Sequence, residues 1–201
     1  MMLPAEDPRR NMLNLLNPLS EELAVLRTTL LPGLLENVQK NNFRQEKHLK
    51  IFELGKAFYK TEAEQLPHEI EMLTGLWTGA RAPASWHTPS VACDFYDLKG
   101  IVESLLKGLG VSDAVYTHMP QNACSYVQPG KTAQIRLGDT YIGLIGEVKP
   151  DVLTRFDVRQ PVFAFEIHVD AMLPLLPETR QFDPIPRFPA VTRERNRSRR
   201  S

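Results

Sequence analysis

Apolar positions recur with a helical period over residues 31–38 and with a strand period over residues 51–59. Leu31, Leu34, Leu35 and Val38 fall at i, i+3, i+4 and i+7, one stripe of a helix. Pro32 stands in the first turn, the one place a helix tolerates proline. Upstream, Ser20 followed by Glu21 and Glu22 reads as the capped start of a short helix, with carboxylates at the positive end of its dipole. Ile51, Glu53, Gly55, Ala57 and Tyr59 then alternate with Phe52, Leu54, Lys56 and Phe58, which reads as a strand. Two apolar stripes must both leave water, so Leu34, Leu35 and Val38 are expected to pack on Phe52, Leu54 and Phe58. Gly55 interrupts the strand and reads as a close backbone approach or a bulge.

The same reading extends along the chain. Residues 61–69 form an acidic, proline-containing loop, residues 70–79 a second strand, and residues 79–91 an irregular connection. Leu98, Ile101, Val102, Leu105, Leu106 and Leu109 make a helical stripe that Gly110 ends with a left-handed cap. Residues 132–137 and 140–148 are strands joined by Gly138-Asp139, a two-residue hairpin turn with glycine first. A short helix over 150–156, a strand over 161–169 and a helical turn or two over 170–176 complete the set. Hairpins followed by helices point to an α+β fold with a mainly antiparallel sheet flanked by helices. A doubly wound parallel sheet would need regular strand–helix alternation, which the hairpin breaks.

Composition narrows the class. The 201 residues fit one domain, with 42% hydrophobic and 24% charged content. Lys plus Arg and Asp plus Glu are 24 each, so no global field draws the chain to nucleic acid or membrane. Apolar runs are short and broken by charge or proline, so no membrane span and no secretory leader are expected. Cys93 and Cys124 stand apart without a C-x-x-C pair, which suits a reducing cytoplasm, where each acts as a small hydrophobe.

The literal wording says more than the periodicity. N-P-L-S-E-E-L-A-V-L-R-T-T-L-L-P-G-L-L (17–35) and F-E-L-G-K-A-F (52–58) closely resemble the beta chain of bacterial-type phenylalanyl-tRNA synthetase. The resemblance recurs, in order, in F-Y-D-L-K-G-I-V-E-S-L-L (95–106), Q-P-G-K-T-A-Q-I (128–135), I-G-L-I-G-E-V-K-P (142–150) and R-F-P-A-V-T-R (187–193). It implies a class II aminoacyl-tRNA synthetase-like module, incomplete on its N-terminal side, over residues 1–190. Five arginines lie between Arg193 and Arg200, and residues 191–201 read as a disordered end leading toward an absent anticodon-binding domain. The sharper reading of that tail is a nucleic-acid arm, since clustered guanidinium groups displace counterions from phosphate.

Active class II domains place a phosphate-binding arginine in a strand motif F-R-x-E or F-R-x-D. The counterpart here is Phe58-Tyr59-Lys60-Thr61, with Tyr59 in place of the arginine and Thr61 in place of the acid. Lys60 falls on the opposite strand face and cannot substitute. The second motif, G-x-G-x-E-R or G-x-G-x-D-R, aligns with residues 166–171, where Glu166 and His168 stand for the glycines and Ala171 for the arginine. Glycines there let adenine lie against the backbone, so these side chains should exclude it. The expectation is a domain with no catalytic residue, no cofactor and no metal of its own. The resemblance implies ATP and magnesium for the whole enzyme, with an alpha chain as partner in a hetero-tetramer and tRNA as the shared substrate. Two other classes remain: a degenerate ATP-binding ligase domain, and an RNA-binding module using the arginine tail.

Other constellations have plainer readings. His48, His68, His87, His118 and His168 lack zinc-ligand spacing. Asp94 fits a helix cap, and Asp97 and Glu103 a solvated helix face. Trp77, Trp86, Phe95 and Tyr96 read as packing residues rather than a stacking platform for bases. Leu23, Leu26, Leu30 and Leu34 could supply an apolar surface toward the partner chain, or pack internally.

Overall fold

The computed structural model describes residues 8–10, 12–15, 17, 24–60, 66–82, 86–87, 89–120 and 123–177. The Ser20 cap with Glu21 and Glu22, Leu23, Thr61 and the arginine tail lie outside the described residues. Six strands form one sheet in the order β1-β2-β6-β5-β4-β3, with every neighbouring pair antiparallel. They are β1 (Leu49–Tyr59), β2 (His68–Thr78), β3 (Ala114–His118), β4 (Val127–Leu137), β5 (Thr140–Val148) and β6 (Val162–His168). The helices are α1 (Leu31–Phe43), α2 (Phe95–Gly108), α3 (Pro150–Arg155) and α4 (Val169–Met172). Residues Pro8–Arg10 and Leu173–Leu175 form 3-10 turns.

Each sheet face carries its own core. Leu31, Leu34, Leu35 and Val38 of α1 and Val152 and Leu153 of α3 meet Leu76, Leu144, Val148 and Ala164 on the first face. Leu98, Val102 and Leu106 of α2 cover Trp77, Ile145, Phe163, Phe165 and Ile167 on the second. Alternation makes both possible, because successive residues of β6 point to opposite faces.

The expected helices form for the expected reasons. Pro32 opens α1, and Leu31, Leu34, Leu35 and Val38 are its buried residues. Asp94 caps α2, accepting from Asp97 N at 3.0 Å while Asp97 accepts from Asp94 N at 2.9 Å, a reciprocal capping box. Asp97 is therefore no solvated bystander: the capping box and the Arg81 guanidinium both hold it. Glu103 does sit on the outer face, paired with Lys99. Gly110 takes φ +88°, the left-handed conformation that ends the helix, and Val111 N then reaches Leu106 O at 2.9 Å. Gly138 takes φ +55° in the β4–β5 turn.

Several expectations are corrected. α1 does not pack on Phe52, Leu54 and Phe58; Leu49 and Ile51, on the other face of β1, meet its stripe. Phe52 and Leu54 are 74% and 58% exposed, because β1 is an edge strand and α2 lies over the sheet centre. Gly55 marks no bulge, since β1 and β2 pair continuously from Leu49↔Thr78 to Tyr59↔His68. The close neighbour of Gly55 is instead the Arg27 guanidinium, 2.5 Å from where a Cβ would stand. Ile101 and Leu109 are substantially exposed at the margins of the α2 stripe. β3 had no sequence signal: it is a five-residue edge strand with little apolar alternation. β4 starts at Val127, but its register breaks before Thr132, which is where the alternation begins. Trp77 is buried, whereas Trp86 and Tyr96, at 97% and 76% exposure, are not packing residues.

Candidate functional site

The motif positions converge at one end of the first sheet face. Tyr59 ends β1 and His168 ends β6, and the register Met72↔His168 and Thr74↔Glu166 brings the last turn of β6 alongside β2. Glu166 and His168 share a face because they are two residues apart in a strand. A register shift between β4 and β5 leaves Ile142 without a partner and carries Tyr141 to the same face. Tyr141 and His168 stack edge to face with ring centroids 5.7 Å apart. Ala171 lies in the four-residue α4, half-buried.

The segment before α1 closes this end. Phe58 N donates to Arg27 O at 2.9 Å, and Arg27 Nε donates to Lys56 O at 3.0 Å, so residues 27–29 run along the outer edge of β1. Tyr59 donates its phenol to Thr28 O at 2.9 Å. Thr29 turns inward and donates its hydroxyl to one oxygen of Glu166, and Tyr126 donates its phenol to the other. Glu166 is 3% exposed. Burial pushes its carboxyl up to about 7, against the opposing Thr29 hydrogen bond and Arg9 charge. Burial lowers His168, with Asp170 acting in the other direction.

Arg9 covers the cluster. Its carbonyl accepts from Thr28 Oγ1 at 3.1 Å, its guanidinium carbon lies 4.8 Å from the Tyr126 ring centre, and Nη1 donates to Cys124 Sγ at 3.9 Å. The end of the face that carries Tyr59, Glu166 and His168 is thus filled by the chain itself. Three cavities lie toward the opposite strand ends. One of about 470 Å³ is bordered by His48, Lys50, Trp77 and Arg81, one of about 460 Å³ by Glu147, Pro150 and Pro161, and one of about 200 Å³ by Asn42, Asp157 and Arg159.

Of the motif residues, the structure brings together Tyr59, Glu166 and His168, places Ala171 just beyond on α4, and does not describe Thr61. Lys60 is exposed. Sequence reading missed Arg9, Thr29, Tyr126 and Tyr141. Arg9 and Tyr126 sit outside every motif, and only the T-T of L-R-T-T carried a usable hint. Leu30 and Leu34 are buried within this chain and Leu26 is half-buried, so the leucines considered for a partner surface pack internally where they are described. Among the described residues no group of three or more His, Cys, Asp or Glu is arranged to hold a metal ion. Among them, too, no helix is long and apolar enough to cross a membrane.

A buried carboxyl thus accepts from two hydroxyls, and a guanidinium lies over the ring of one of them. Comparison with known proteins matches this architecture. The crystal structure of pyrrolysyl-tRNA synthetase from Desulfitobacterium hafniense superposes with a TM-score of 0.61 at 17% identity, covering 86% of this chain and 56% of that one. A second pyrrolysyl-tRNA synthetase structure from the same organism gives 0.56, covering 79% and 52%. At that identity the likeness is one of fold, the class II synthetase fold. By sequence, the phenylalanine–tRNA ligase beta subunit of Geobacter sulfurreducens is 41% identical over 194 residues, covering 96% of this chain and 24% of that protein. That of Symbiobacterium thermophilum is 39% identical over 194 residues, covering 96% and 21%. The chain thus spans about a quarter of the length of these relatives. The family model described as the phenylalanyl tRNA synthetase beta chain CLM domain matches residues 1–169, and the chain belongs to that family.

Proposed function

We propose that this chain is a structural, catalytically silent domain of a phenylalanine–tRNA ligase beta chain. It supports an alpha chain that binds ATP with magnesium and attaches phenylalanine to tRNA in the cytoplasm. The observation that carries the silent role is Glu166. Its side chain is buried and doubly hydrogen-bonded at the position where a class II site needs a glycine to admit adenine. Tyr59, at the arginine position, is committed to the Thr28 carbonyl, and Ala171 offers no charge to a phosphate. Attack on an α-phosphate depends on preorganised positive charge; the tyrosine, glutamate and alanine at these positions supply none, and the nearby Arg9 guanidinium is turned onto Tyr126 and Cys124.

Without chemistry of its own, the domain contributes rigidity and surface. Phe52 and Leu54 stand exposed on β1, an edge strand, and give the alpha chain an apolar place to dock. The test is co-expression of the 201-residue chain with the alpha chain of the same source, followed by affinity capture. Capture at equal stoichiometry that is lost in a Phe52→Ser/Leu54→Ser variant supports the reading. Failure of the unaltered chain to capture the alpha chain contradicts it.

A further inference from the structure

The turn Pro8–Arg10 is seated by contacts that converge on one side chain. Arg9 is anchored through its backbone by the Thr28 hydroxyl at 3.1 Å. A single antiparallel bridge just after it, with Leu15 N to Ala24 O and Leu26 N to Leu13 O both at 2.8 Å, ties the N-terminal segment to the segment that leads to Thr28. The guanidinium then faces Tyr126, 4.8 Å from the ring centre, and Cys124 Sγ at 3.9 Å. Tyr126 in turn donates to Glu166 and is itself fully buried.

Three ionisable groups on separate elements respond to this one charge. Burial pushes Cys124 up to about 11, Tyr141 up to about 12 and Glu166 up to about 7, and in each case Arg9 acts in the opposite direction. They come from the segment before β4, from β5 and from β6, and of the three Cys124 is in direct contact with the guanidinium. An aromatic face lies under this planar cation, the kind of surface that takes up guanidinium groups, with the Cys124 sulfur as a further acceptor beside it.

We infer that the closed end of this cleft is a guanidinium-binding site filled in cis, with Tyr126 and Cys124 as its walls, Glu166 holding Tyr126 from behind, and Arg9 as its resident ligand. The chain supplies from its own N-terminal segment the cation that occupies the space. Lysine would not replace it, because a point charge gives up both the stacking plane and the forked donors. The inference shares with the proposed function only the closure of the cleft. ATP binding would refute that closure, whereas failed rescue in the experiment below refutes the guanidinium site alone.

The experiment compares the 201-residue chain with R9A and R9K in thermal unfolding, each with millimolar methylguanidinium, methylammonium or N-methylurea. These probes separate planar charge, charge alone and plane alone. R9A is expected to melt lower than the unaltered chain and to recover selectively with methylguanidinium, since a ligand bound only by the folded state raises its melting temperature. A second readout is the reaction of Cys124 with a thiol reagent, located by mass spectrometry. R9A and R9K should both expose this thiol, and methylguanidinium should protect it again in R9A. Should R9A not fold, R9K decides: faster Cys124 modification than in the unaltered chain is required. An R9A chain with unchanged melting and unchanged Cys124 protection overturns the inference, as does equal recovery with all three probes. So does an R9K chain indistinguishable from the original.

Discussion

The Tyr59 phenol donates a 2.9 Å hydrogen bond to the carbonyl of Thr28. The residue in place of a phosphate-binding arginine therefore ties β1 to the segment that closes the cleft. Tyr59→Phe removes one donor from the carbonyl of buried Thr28 and should cost about 1 kcal/mol in urea unfolding, with the fold retained. A change below the error of the measurement would mean that water replaces the phenol, and that this end of the cleft is more open than the geometry indicates.

The two sides of the sheet should answer substitution differently. Leu35 of α1 is completely buried in the core between that helix and the sheet, so Leu35→Ala should destabilise by about 2–5 kcal/mol through lost transfer energy and a residual cavity. Phe52, largely exposed, should change stability by less than about 0.5 kcal/mol on mutation to Ser. Parallel urea titrations check both. Equal costs at the two positions would show that Phe52 is covered.

Glu166 predicts a stability slope with a definite sign. The folded carboxyl holds its proton to about 7, whereas the ordinary value is 4.5, so the native state binds the extra proton between those values. Its contribution is most favourable below about 4.5, is lost as pH rises toward 7, and is flat above that. Over that window the change amounts to roughly 3 kcal/mol. Glu166→Gln keeps an acceptor for one hydroxyl and removes the titration, so unfolding free energy measured across the window should lose this slope. An unaltered slope in the variant would assign it to another group.

Much of the fold was legible because its signals are local. Pro32 with the Leu31-to-Val38 stripe, Asp94 before α2, Gly110 after it and the Gly138-Asp139 turn each constrain a few neighbouring residues, and each element formed. What periodicity does not say is which face of an edge strand meets the core. Phe52 and Leu54 are more apolar than Glu53 and Gly55, yet the helix packs on the face of Leu49 and Ile51. The substitutions at Tyr59, Glu166, His168 and Ala171 were readable from motif wording. The partners that give Glu166 its environment were not, since Thr29 lies 137 residues away in the chain and Tyr126 lies 40. Tertiary packing brings them together, with Thr29 in the segment before α1 and Tyr126 just before β4.

The central claim is that this class II module has no nucleotide site. Isothermal calorimetry of ATP with magnesium into the 201-residue chain, paired with phenylalanine-dependent ATP–pyrophosphate exchange, tests it most directly. The account predicts no measurable heat of binding and no exchange, because Glu166 and Tyr59 fill the positions that adenine and the phosphates need. Micromolar ATP binding, or exchange catalysed by this chain without an alpha chain, would contradict it.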